Sequence, residues 1–147
     1  MQYHQQQMNL FNILFGKKDK ARGLEVDPEW YVETRYNGAY YVARMKRMFN
    51  VYPEVEPQSL EMVDCYDYTR NVLCLTMKTL DSCNAVSVAT ACHEVGHAVA
   101  YLSGFKGTPL QNEQKATGIA LEFLKNELNE EQYNAASAFL HACMKTY

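Results

Sequence analysis

The longest apolar stretch of this chain, Ala85 to Leu102, is interrupted by His93, Glu94 and His97, and no other segment narrows the choice of fold as much. It approaches the roughly 20 residues that a helix needs to span a bilayer. Ionisable side chains at that density would be costly in lipid, however, so the segment reads as a helix buried within a protein. Its centre, His93-Glu94-Val95-Gly96-His97, has the pattern H-E-x-x-H. A helix turns by about 100° per residue, so positions four apart stack on one face and both imidazoles can reach one metal ion. Glu94 falls one step round, beside the ion without binding it, where it can take a proton from a polarised water. Ala89, Ala91, Val95, Ala98 and Val99 supply an apolar sheath, and buried imidazoles need polar partners. The plainer alternative is a helix with two hydrogen-bonded core histidines and no metal.

A catalytic zinc ion keeps three protein ligands and one open position. Glu113 is the leading candidate for the third. It follows a reversal marked by Gly104, Gly107 and Pro109, and Ala116 and Thr117 after it are small enough for close helix contact. As a first-turn carboxylate, Glu113 would equally suit solvent, favoured there by the helix dipole. Glu122, Glu127 and His141 are more distant competitors. Cys92 points about a third of a turn away from the ligand face and is not counted as a ligand.

The 147 residues are enough for one ordinary domain with a single core. A net charge of −3 opposes a nucleic-acid binder with a basic face. The five cysteines include Cys65, Cys74, Cys83 and Cys92, nine residues apart, with no C-x-x-C pair. This fits neither a zinc ribbon nor an evident disulfide framework, and reduced thiols in a cytoplasmic protein are expected. At the N-terminus, the apolar run Met8 to Phe15 precedes Lys17, Lys18, Lys20 and Arg22, the reverse of a secretory signal. It is a candidate for contact with a membrane surface or a partner, against the plainer reading of a loosely packed terminus.

Residues 1–25 therefore read as a tail and 26–147 as the domain. Asp27-Pro28-Glu29 marks a helix start, and a second helical pattern covers Ala39 to Asn50. Pro53 and Pro57 predict an extended connection. Glu61 to Tyr66 and Asn71 to Thr76 read as a strand hairpin. Ser82 can cap the long helix, which ends at Ser103-Gly104, and Leu110 to Asn126 and Glu130 to Thr146 predict two more helices. The fold class is α+β, mostly helical, with a small hairpin or sheet before the H-E-x-x-H helix, a minimal zincin-like arrangement.

The stretch from Ser82 to Ala98 resembles the active-site helix of the neutral zinc metallopeptidase family usually found as bacterial membrane proteins. Gly38-Ala39 with Ala43-Arg44 resembles that family's G-x-x-x-A-R region, and Asp64-Cys65-Tyr66-Asp67 its D-H-Y-D segment, followed by Val72 to Leu75 as its next strand. Glu113 with Ala116-Thr117 resembles its E-F-D-A-S segment, and Thr146-Tyr147 its closing T-Y. The resemblance implies His93, His97 and Glu113 as ligands of one catalytic Zn2+ and Glu94 as general base. Three departures stand out. Cys65 replaces a histidine, Gln114 and Lys115 replace an apolar and an acidic residue, and the family's hydrophobic spans are missing. A soluble, shortened version is expected.

The implied reaction is zinc-assisted hydrolysis of peptide bonds in a peptide or protein substrate, with no nucleic-acid partner. Tyr66, Tyr133 and His141 are candidates for an oxyanion donor. The strand Asn71 to Thr76 is a candidate edge for holding an extended peptide, or a plain structural hairpin. A different class also fits: a catalytically inactive, zinc-stabilised interaction module. The intact Glu94 favours the enzyme, because a structural zinc has no need of a base and is usually closed by four ligands.

Overall fold

Asn37 starts the first helix by accepting a hydrogen bond from the Tyr40 amide at 3.0 Å. Helix α1, Gly38–Phe49, buries Tyr41, Val42 and Met45 and ends where Asn50 adopts the left-handed conformation, φ 54°. The computed structural model describes residues 25–146. The Met8 to Phe15 run, the tail apart from Glu25, and Tyr147 lie outside those residues. Upstream of α1, Asp27 caps only a three-residue 3-10 turn, Pro28–Trp30, where the sequence pattern predicts a longer helix. The residues that follow are drawn into other backbone bonds: Val32 O accepts from Ala85 N, and Thr34 N donates to Cys83 O.

Three strands form one small sheet: β1, Glu54–Gln58; β2, Cys65–Asp67; and β3, Val72–Thr76. Their order is β1-β3-β2, with β1 parallel and β2 antiparallel to β3. Three expectations change here. The segment around Pro57 is a strand, not merely a connection, because proline is tolerated on an edge where its missing N–H faces away from the ladder. The candidate peptide-holding edge, Asn71 to Thr76, is instead the central strand, with a neighbour on either side. Strand β2 is also shorter than the Glu61 to Tyr66 expected, since Ser59 to Met62 turns on a backbone bond.

A short helix absent from the sequence reading, α2, Met77–Asp81, begins directly from β3. Its start is fixed by buried Asp64, which accepts from the Thr76 amide at 2.7 Å and the Thr79 hydroxyl at 2.8 Å. Burial pushes the Asp64 carboxyl up to about 6, against the opposing pull of those bonds. Between pH about 4 and 6 the unfolded chain ionises Asp64 while the folded chain keeps it neutral. Stability should therefore fall as pH rises through that window, by up to about 3 kcal/mol from this group. Asp64→Asn keeps the acceptor oxygen and removes the titration. Urea unfolding of both proteins at pH 4 and pH 7 should show the wild type losing more stability than the variant.

Helix α3, Ala85–Leu102, is capped by Asn84, whose side chain accepts from Ser87 N, and not by Ser82. Every residue from Ala85 to Ala98 is buried, which explains its uniform apolarity: helices pack around it on most sides. Helices α4, Pro109–Glu127, and α5, Glu130–Met144, each open with a reciprocal capping box, Thr108 with Gln111 and Asn129 with Gln132. The core is continuous from Tyr41, Val42 and Met45 of α1 through α3 to Phe123 and Leu124 of α4 and Phe139 and Leu140 of α5, with Tyr66, Leu73 and Leu75 of the sheet closing one end. The domain is α+β and mostly helical. Among the described residues, no helix is long and apolar enough to cross a membrane.

Candidate metal centre

Gly96 decides how closely α3 and α4 approach. A Cβ at this position would lie 2.4 Å from the Ala116 carbonyl oxygen and 3.1 Å from the Ala116 Cα. Only glycine lets the two backbones touch here, and Ala116, fully buried, presents little more bulk from the other side. Glu113, about one turn before Ala116, is thereby carried over the histidines of α3.

The result is a triangle of potential ligand atoms. His93 Nε2 lies 2.9 Å from Glu113 Oε1, His97 Nε2 lies 3.0 Å from Glu113 Oε2, and the two Nε2 atoms are 3.0 Å apart. These spacings approach the edge of about 3.3 Å expected in a tetrahedral site with ligand distances of about 2.0–2.1 Å. All three side chains are at most 1% exposed. Burial lowers the His93 pKa, as does His97, against the raising effect of Glu113, so the ring is held toward its neutral, ligating form. Burial acts to raise the Glu113 pKa, but the charge of His97 and hydrogen bonds from both imidazoles outweigh it and hold the carboxylate at about 2. Two imidazoles and one carboxylate form a nitrogen-and-oxygen donor set that could hold a metal ion.

Glu94 is wholly buried, and among the described residues neither carboxylate oxygen makes a well-formed hydrogen bond, the Tyr66 backbone amide being only a weak donor to it. Its pKa is pushed well up by burial, then by the charges of Glu113 and Asp64, with the Tyr66 backbone amide pulling the other way. A dication beside the cluster would oppose the electrostatic causes of that shift. The donor triangle and this orphaned carboxylate thus fit a divalent metal site.

Other candidates are placed elsewhere. The Glu127 carboxylate is engaged by Arg44 at 2.7 and 3.1 Å, and Glu122 is exposed. His141 is exposed, with Nδ1 2.8 Å from the Ser137 carbonyl oxygen. Tyr66 is buried and donates its hydroxyl to Asn71 Oδ1 at 2.7 Å. Tyr133 is half-buried and packs against the main core. Gln114 and Lys115 both face solvent, so these departures from the family pattern lie outside the buried triangle.

Thr117 has a contact that its small size did not reveal in the sequence. Its Oγ1 lies 3.2 Å from His93 Nδ1, the ring nitrogen opposite the one facing the triangle. A ligating histidine commonly donates this second N–H to a fixed acceptor, which orients the ring. Thr117→Val keeps the shape and deletes the acceptor. Zinc affinity, measured by competition with a chromophoric chelator, should fall by about 10-fold or more.

The fold is thus an α+β domain in which the H-E-x-x-H helix is crossed by a second helix bearing a buried carboxylate, and together they form a group that could hold a metal ion. The chain belongs to the family described as "Putative neutral zinc metallopeptidase", whose model matches residues 29–115, a segment that contains His93, Glu94, His97 and Glu113. No curated protein and no solved structure gives a significant match.

Proposed function

We propose that this protein is a zinc-dependent peptidase that hydrolyses peptide bonds within peptide or protein chains, with Glu94 as the general base. The observation that carries this reading is the orphaned Glu94 carboxylate beside three convergent ligand atoms. Ionising a buried carboxyl that has no well-formed hydrogen bond is costly. A proton acceptor for a catalysed step accounts for its position.

His93, His97 and Glu113 would hold the ion, and Thr117 would fix the His93 ring. Zinc in such a site lowers the pKa of water to about 7 and polarises a carbonyl group. Glu94 takes the proton from the attacking water as the C–O bond forms. It then returns that proton to the amide nitrogen as the C–N bond breaks and the amine leaves, so the carboxylate is regenerated in each cycle. The full burial of Glu94 keeps bulk water from solvating it. Five reduced cysteines suit a reducing compartment, and we place the enzyme in the cytoplasm.

The test is metal removal and return. The purified chain should carry one zinc ion, cleave an unfolded protein such as reduced casein, lose that activity to a chelator, and regain it with stoichiometric zinc. A zinc-loaded protein that cleaves none of a broad panel of unfolded substrates would overturn the peptidase reading and leave a zinc-stabilised interaction module.

A further inference from the structure

The cysteines are not equivalent. Cys92 and Cys143 belong to the main core, Cys83 is exposed, and Cys65 and Cys74 form a separate small cluster with Val72 on the other face of the sheet. Cys65 and Cys74 are also direct partners in the antiparallel register of β2 and β3. Such partners have Cα atoms about 4.5–5.5 Å apart, inside the range of about 4.4–6.8 Å that a disulfide spans. We propose that Cys65 and Cys74 are a peroxide-reactive dithiol that closes to an intramolecular disulfide across the β2–β3 hairpin.

The surroundings give the two sulfurs different parts. Arg70 Nη2 lies 3.6 Å from Cys74 Sγ, and the guanidinium is held in place by Asp67 at 2.7 Å and Glu56 at 3.3 Å. A hydrogen bond from the Cys65 thiol, and then Arg70, favour the Cys74 thiolate against burial and Glu56. That same thiol contact, followed by burial, pushes Cys65 up. Cys74 is therefore the attacking sulfur and Cys65 the resolving one. Both residues are only 4–5% exposed, which selects a small oxidant of the hydroperoxide class over a bulky disulfide.

The chemistry balances in two steps. The Cys74 thiolate attacks one peroxide oxygen; the O–O bond breaks, the sulfur becomes a sulfenic acid, and hydroxide leaves and takes up a proton. The Cys65 sulfur then attacks Cys74 Sγ, the S–O bond breaks, and a second water departs with the Cys65 proton. Two thiols and one hydrogen peroxide become one disulfide and two waters.

The full chain carrying Cys83→Ser, which removes the exposed thiol, is treated with hydrogen peroxide under native conditions, then quenched, alkylated and mapped by mass spectrometry. The expected result is loss of two alkylatable thiols, a mass lower by two hydrogens, and a linked peptide joining positions 65 and 74 that dithiothreitol separates. Adding Cys65→Ser should stop the reaction at a Cys74 sulfenic acid that dimedone traps. Arg70→Gln should slow the first step several-fold. The proposal is overturned if both thiols remain alkylatable in the folded chain at a dose that oxidises them in urea. It is equally overturned if the linkage forms only between chains.

Discussion

Glu94→Gln should lower kcat for peptide hydrolysis by about 10²–10⁴-fold, the range that a positioned general acid–base contributes. Its zinc content should stay at the wild-type level, because His93, His97 and Glu113 are untouched. The fold should survive as well: the amide is isosteric, it keeps an acceptor oxygen for the Tyr66 amide, and the carboxylate it replaces makes no well-formed hydrogen bond. This combination separates a catalytic group from a structural one. A buried residue that served packing alone would show its loss in Tm, whereas here the loss should appear in turnover. Stopped assays on unfolded substrate, metal analysis and thermal melts on the same preparation check all three points. Equal turnover in the two proteins would remove Glu94 from the reaction.

Gly96→Ala sets two effects against each other. Alanine in place of glycine favours a helix interior by about 1 kcal/mol. The added methyl would meet the Ala116 carbonyl at 2.4 Å, however, and the obstacle is backbone, which cannot rotate aside. Overpacking of this kind costs about 1–3 kcal/mol, so the net effect should be a lower Tm. The functional loss should be larger than the loss of stability. Pushing α4 away from α3 carries Glu113 off the histidines, and a displacement of about 1 Å at such a site can cost about 100-fold in rate. Zinc titration and kcat/KM, measured well below the melting transition, check this. Wild-type zinc affinity in Gly96→Ala would mean that the backbone contact does not set the position of Glu113.

What the sequence revealed, and what it withheld, follows from how far each feature reaches along the chain. His93, Glu94 and His97 are legible because one helical turn dictates their faces, and the burial of α3 is legible from its apolarity. Glu113 is ambiguous in the sequence because a carboxylate early in a helix also suits solvent; its burial depends on Gly96 meeting Ala116, a contact between two helices. Strand β1 is hidden because Glu54-Val55-Glu56-Pro57-Gln58 lies at the sheet edge and carries little apolar alternation. Its parallel pairing with β3 leaves no local trace. Ser82 and Asn84 are both good capping residues, and the choice falls to Asn84, whose neighbours Cys83 and Ala85 bond to the segment around Val32 and Thr34. Hairpin register likewise turns a nine-residue spacing of cysteines into a facing pair.

His97 and Glu113 come from helices joined by a short connection, so an ion held by both closes a loop of about 16 residues. In chain-entropy terms that closure restricts the unfolded ensemble much as a disulfide would, by about 3 kcal/mol. The metal would then be a removable cross-link of the chain as well as a reagent. Without it, the Gly104 to Gly107 connection between α3 and α4 should open more often, and hydrogen exchange in the first turns of α4 should quicken before the α3 core responds.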